Sequence, residues 1–300
     1  MPQQLLRRGR DQSARRRGRR VNVVKSTDFW PQLSQRVQYI RRRARVMLRS
    51  LLITGLLLLS GLQVGASPLN EGIAALNEGD HSKALRLLKP LAAKGVPEAQ
   101  FGLGVLYREG KGVAKNTRLA AELFCSAAQK GGSDAEYNCG LVKALGEGTP
   151  QNFEEAAKWW KLAAAQGDVR AQYNLGLLYM EGHGVDKNQS QAKIWFQKAA
   201  EKGIPQAQYN LAMMYYSGKG ATRDLKQAAR WFRLASEQGD AESRYTLGRM
   251  YMDGQGVDRD YKEAEELLRL AASSGLDKAQ EALGKLLLMK SAEKLKPDAD

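Results

Sequence analysis

The chain has 300 residues, of which 43% are hydrophobic and 26% charged, with a formal net charge of +15, two histidines and two cysteines. The charge is uneven: residues 1–49 hold 15 of the 47 Lys and Arg but only two acids, Asp11 and Asp28, so the other 251 residues carry about +2. That near-neutral remainder gives no reason to expect nucleic-acid binding, and no metal-ligand spacing is present, which excludes two common roles at the outset.

Residues 1–46 are Arg-rich, with RRGR and RRRGRR runs and little periodicity, and are expected to be disordered or untranslated. Met47 opens a stretch of ordinary signal length, MLRSLLITGLLLLSGLQVGA. A basic flank, an apolar run from Leu51 to Leu59 and small residues before Ser67 predict a secretory signal peptide over 47–66, cleaved after Ala66. An uncleaved inner-membrane anchor is the alternative, with its basic side in the cytoplasm. Its apolar part is short beside the roughly 20 residues a span needs. Membrane contact is expected only if residues 50–66 are retained. The Arg-rich runs also resemble nucleic-acid-binding arms. No cysteine follows the apolar run, which argues against lipid attachment there.

Residues 67–98 predict a capping hairpin, with a short helix from Leu69 to Glu78 and a second after Asp80. From there a 36-residue period governs the chain. Small residues recur at Gly104, Gly140, Gly176, Ala212, Gly248 and Gly284, and others at Gly95, Gly131, Gly167, Gly203, Gly239 and Gly275. Five full units fill residues 99–278, beginning near Ala99, Ala135, Ala171, Ala207 and Ser243. A capping helix near Lys278–Met289 and a fraying polar tail complete residues 279–300. A fixed period of this length predicts a solenoid of stacked units, none of which can bury its apolar face alone.

The clearest unit runs from Ala171 to Gly203 and reads as two antiparallel helices. Helix A carries Ala171, Leu175, Leu178 and Tyr179 at helical spacing. It ends at Gly182-His183-Gly184, where glycines permit a sharp turn. Helix B follows Asn188, at a phase that holds Asp80, Asn116, Asn152, Asp224 and Asp260, all strong N-cap residues. Glu155, Gln191, Gln227 and Glu263, three residues on, predict capping boxes. The next helix A starts at an Asp168 or Asp240 cap, or at Pro97 or Pro205 in its first turn. Gly176 lets the helix backbones approach, while the aromatic pairs Trp159-Trp160, Trp195-Phe196 and Trp231-Phe232 are expected to fill the space towards the neighbouring unit.

The pattern Ala-x-x-x-Leu-Gly-x-x-Tyr, then Gly-x-Gly, then Ala, an aromatic and Ala-Ala, resembles the Sel-1-like repeat, a subfamily of the tetratricopeptide-like repeats. The resemblance covers residues 69 to about 290. It implies an all-α, right-handed α-solenoid used as a protein-binding scaffold. Lys143 stands where tyrosine is expected, Ala212 replaces a glycine, and Thr149-Pro150 alters one loop. The Lys143 unit is therefore expected to pack less well than the others.

Cys125 on one helix B and Cys139 on the following helix A lie seven residues either side of Gly132. Antiparallel helices would bring them level if their faces agree, and related cysteine-rich members clasp adjacent helices in this way. With export a disulfide is expected; the alternative is two small buried apolar side chains. By analogy with tetratricopeptide repeats, which bind peptides on helix A, a concave groove would be lined by Tyr137, Tyr173, Tyr209 and Tyr245 beside Asn138, Asn174 and Asn210. Asn amides could pair with an extended peptide backbone, and tyrosines add contact area at low entropic cost. Met213, Arg249 and Lys285 at the next phase make the groove more basic towards its C-terminal end. The alternative reading of both rows is packing within the repeat itself.

Catalytic constellations are sparse. His81 and His183 lie in different units, and His183 reads as an exposed turn residue. Ser190-Gln-Ala-Lys193 fits Ser-x-x-Lys, but the companion motifs of that chemistry are missing. The Gly-x-Gly turns follow helices rather than strands, so they fail as nucleotide loops. The expected protein is thus a periplasmic or secreted, non-enzymatic scaffold for a protein or peptide, with no small-molecule substrate and no cofactor. The competing readings are a cell-envelope hydrolase and a membrane-tethered adaptor with a nucleic-acid-binding basic arm.

Overall fold

The computed structural model describes residues 67–294. The leader over 1–46, the signal or anchor segment over 47–66 and the last residues of the polar tail lie outside them. Among the described residues are thirteen helices and no strand: α1 (Pro68–Glu78), α2 (His81–Ala93), α3 (Pro97–Glu109), α4 (Thr117–Ala128), α5 (Ser133–Leu145), α6 (Phe153–Ala165), α7 (Val169–Glu181), α8 (Gln189–Glu201), α9 (Pro205–Ser217), α10 (Leu225–Glu237), α11 (Ala241–Asp253), α12 (Tyr261–Ser273) and α13 (Asp277–Lys294). Both helix series keep the 36-residue step: A helices begin at 97, 133, 169, 205, 241 and 277, and B helices at 81, 117, 153, 189, 225 and 261. Each helix packs on the next along the chain, which makes the array an α-solenoid of helical hairpins.

The local signals explain where helices start. Asn188 Oδ1 accepts from Gln191 N at 3.0 Å, and Asn116, Asn152 and Asp224 do the same three residues on. Asp168 and Asp240 cap α7 and α11, and Pro97 and Pro205 open α3 and α9. The reciprocal half of the expected capping boxes is corrected. The Asn188 N–H donates to the Tyr179 carbonyl of the preceding A helix at 2.8 Å, and Asn116, Asn152, Asp224 and Asp260 donate to the matching carbonyls of Tyr107, Lys143, Tyr215 and Tyr251. This bond ties the start of each B helix to the last turn of its A helix, which helps to keep the connection constant from unit to unit.

The two glycines of each turn do different jobs. Gly182 caps α7 in the left-handed region at φ 80°. Gly184 is also left-handed, at φ 65°, but a Cβ there would lie 2.3 Å from the Phe153 carbonyl carbon at the start of the previous unit's B helix. The second glycine is therefore a contact between units as well as a turn. His183, expected to be exposed, is half-buried with its ring stacked on Phe153, centroids 5.1 Å apart.

Within each unit the core is a bulky B-helix side chain seated on a small A-helix residue. The position of a Cβ on Gly176 would be 2.5 Å from the Phe196 ring, and on Gly140 2.6 Å from Trp160. Trp160, Phe196 and Phe232 are fully buried, whereas Trp159, Trp195 and Trp231 are half-buried. This corrects the expected direction: the buried member of each pair fills its own unit rather than the neighbouring one.

A recurring bond also joins units. Gln100, Gln172 and Gln208 each donate from Nε2 to a carbonyl in the last turn of the previous B helix, at Ala92, Ala164 and Ala200, and Arg244 donates from Nε to the Ser236 carbonyl. Glu136 occupies this phase in α5. It accepts from Gln166 Nε2 at 2.7 Å, and burial raises its carboxyl above the ordinary range.

Candidate partner-binding row on the A helices

The unit at 133–168, expected to pack less well than the others because of Lys143, has a well-buried A helix. α5 buries Tyr137, Asn138, Cys139, Leu141 and Val142. The Lys143 ammonium, freed from the role of a tyrosine ring, pairs with Glu155 at 2.8 Å and donates to Thr149 of the altered loop. Cys125 on α4 and Cys139 on α5 are joined as a disulfide with Cα atoms 4.8 Å apart. α4 ends one residue early, and Gly131 and Gly132, both at positive φ, carry the chain into α5.

Three expected row residues lie beneath the surface. Tyr137 is 4% exposed, Asn138 6% and Asn174 2%. The correction has physical causes. The Tyr137 ring stacks on Trp160 at 6.4 Å, and Arg170 from the next A helix lies over it at 4.2 Å. The Asn138 amide is used within its own helix, donating to the Asp134 carbonyl at 2.7 Å. Arg170 is gripped by the α7 cap Asp168 and by Asp134, 2.6 Å away. Burial opposes its charge, but the bond and charge of Asp168, with Tyr137 and Asp134, outweigh that and hold the guanidinium above its ordinary range. For the Tyr137 hydroxyl burial acts the other way and raises it above its ordinary range. Arg170 thus forms a lid over Tyr137 that sequence reasoning missed.

Further along, the row opens. Tyr173, Tyr209, Asn210, Met213, Tyr245 and Arg249 are all half-buried. Tyr173 and Tyr209 lean on Phe196 and Phe232 with centroids 5.9 Å apart, so each offers an edge rather than a free ring. Burial, followed by the charges of Glu242 and Asp240, raises the Tyr209 hydroxyl. Tyr245 lies beside Lys278, whose ammonium is 4.8 Å from the ring, and Lys278 pairs with Glu242 at 2.5 Å. The Arg249 side chain is 41% exposed, with Asp253 3.7 Å away. A strip of aromatic edges, one amide, one thioether and one guanidinium can contact an extended chain. It holds no nucleophile–base pair. Ser190 is exposed and Lys193 lies over the Tyr215 ring at 5.0 Å, and among the described residues no group of three His, Cys, Asp or Glu is placed to hold a metal.

An α-solenoid of repeated hairpins with one partly open A-helix row is the architecture of a repeat scaffold. The chain belongs to the Sel1 repeat family, which it matches over residues 97–132, 133–168, 169–204, 205–240 and 241–276. Proteins of this family are protein–protein interaction scaffolds and are generally non-catalytic. Among solved structures it is similar to c5321, a protective antigen present in uropathogenic Escherichia coli strains, with 38% identity over 67% of this chain and a TM-score of 0.65. The match covers 43% of c5321, so this chain spans less than half of that protein's length. It is also similar to a Sel1 repeat protein from Oxalobacter formigenes, with 31% identity over 73% of this chain and 87% of that one, and a TM-score of 0.67. No curated protein matches.

Proposed function

We propose that the chain is an exported, non-enzymatic scaffold that holds an extended segment of a protein partner along the C-terminal half of its A-helix row, within a cell-envelope assembly. The observation that carries this reading is the contrast in cover: Tyr209, Asn210, Met213, Tyr245 and Arg249 stay half-exposed and adjacent, while Tyr137, Asn138 and Asn174 are sealed. Arg249 at one end favours a partner segment with an acidic residue there, since guanidinium matches carboxylate geometry in two bonds. The Cys125–Cys139 disulfide suits an oxidising compartment. No described helix is long and apolar enough to cross a membrane, and the apolar run at Leu51–Leu59 lies outside the described residues.

The test is partner capture from envelope extracts by the purified protein. Asn210→Ala combined with Arg249→Ala is expected to abolish capture while far-UV helicity and the unfolding midpoint stay unchanged, because neither side chain is buried core. Capture that survives those changes, together with a turnover lost in Ser190→Ala, would instead establish the hydrolase.

A further inference from the structure

We infer that the exposed face of α13 is the surface on which a second copy of this chain docks, as a two-fold antiparallel helix pair. In the earlier units the A-helix glycine is covered by a bulky side chain of the following B helix. Gly104 meets Phe124, Gly140 meets Trp160, Gly176 meets Phe196 and Gly248 meets Leu268, each with an atom within 3.0 Å of where a Cβ would stand. Gly284 holds the same phase on α13, and no described residue lies within 4 Å of its Cβ position. The helix–helix interface that runs through the array thus continues onto α13, where, among the described residues, the seat is unfilled.

Two exposed leucines lie on the C-terminal side of that seat. Leu288 is 73% exposed, the most of any large hydrophobic among the described residues, and Leu287 is 39% exposed. The opposite face is fixed: Ala279, Ala282 and Leu286 are buried, and Lys290 holds Glu265 of α12 at 2.6 Å. α13 runs to Lys294, past the Met289 end that its sequence suggested, because Lys290 stands where the other A helices have their terminal glycine. Glu281 and Lys285 pair with each other at 2.5 Å at the margin of the exposed face.

The face is self-complementary, and that selects the occupant. Leu288 lies four residues beyond Gly284, so knob and seat share one side of the helix a turn apart. In an antiparallel pair whose two-fold axis crosses the exposed face midway between residues 284 and 288, Leu288 of each copy falls on Gly284 of the other. Leucine on glycine is the pairing that Leu268 and Gly248 already make within the chain. A foreign helix with one bulky side chain would fill the seat and leave Leu288 in water, whereas a second copy fills both seats at once. One helix pair buries less than the ~1,200 Å² typical of stable complexes, so the association is weak and concentration-dependent.

The experiment is light scattering on the purified protein from about 1 to 200 µM, the range in which a weak dimer of micromolar affinity assembles. The mass is expected to rise towards twice the monomer value. Gly284→Glu and Leu288→Glu should each weaken association at least tenfold without lowering helicity or the unfolding midpoint, while Leu288→Met should retain it. The Gly284 change is decisive, because open space surrounds that position and the fold tolerates a side chain there. A monomeric mass throughout, or association undiminished in Gly284→Glu, overturns the inference.

Discussion

Tyr137 and Tyr245 occupy the same phase of the repeat, each beside a cation 33 positions later on the next A helix. One is sealed and the other is half-open. Arg170 covers Tyr137 because its planar guanidinium reaches both Asp168, the cap of its own helix, and Asp134 of the previous unit. Lys278 has Glu242 but no capping aspartate, since Leu276 stands where Asp168 would be, and its ammonium offers a point charge instead of a plane. The lesson is that a repeat fixes the frame of a surface, while a few charges between units decide how much of that surface remains available. The charge of Glu242 acts on Tyr209 from the equivalent place, where the unit of Tyr173 has Gln206 in the sequence, so neither tyrosine has a cation at that position.

The most severe way to break this contrast is to remove the floor of the sealed unit. Trp160 is fully buried on Gly140 and its Nε1 donates to the Tyr137 carbonyl at 3.1 Å, so Trp160→Ala should cost about 4 kcal/mol in urea unfolding. Tyr245→Ala in the open unit should cost far less, and equal losses would sink the distinction. Next comes the disulfide, which closes a loop between residues 14 apart in sequence and stabilises by about 3 kcal/mol by restricting the unfolded chain. Cys125→Ser with Cys139→Ser should lose that amount, and added reductant should bring the wild type down to the variant without changing the variant itself.

The smallest effect has the opposite sign. Because the folded protein holds the Glu136 proton more tightly than the unfolded chain, this residue works against folding as the pH rises above the ordinary glutamate value of 4.5. Glu136→Gln should gain about 1 kcal/mol at neutral pH, by removing a buried charge and supplying a donor to the Ala128 carbonyl. The gain should shrink towards acid pH. The target geometry already exists two units on, where Gln208 donates to Ala200 and accepts from Gln238 at 2.8 Å. A variant less stable than wild type at pH 7 would show that Glu136 is held ionised by something stronger than Gln166.

Much of this molecule can be read one unit at a time. Asn188, Gly182 and Gly203 act on backbone within a few residues, so their spacing alone gave helix starts, turns and the period. The Lys143 unit misled because its compensation comes from Glu155 and Thr149, side chains whose convergence depends on the folded turn. The paired Trp and Phe positions misled for a different reason: adjacent residues on a helix point about 100° apart, and only the small residue on the facing helix decides which is taken into the core. Gly284 was legible as a member of its series, yet nothing local distinguishes it from Gly176. The chain's own sequence determined the solenoid, its 36-residue step and its caps, because these follow from short-range backbone chemistry repeated without insertion. It also set Cys125 and Cys139 level on adjacent helices, while the folded faces decided their bond. The tertiary structure decided which tyrosines are covered, which N–H each cap offers to the preceding helix, where a buried carboxyl replaces an amide and which glycine is left with an open seat, because each of those depends on a partner supplied by another helix.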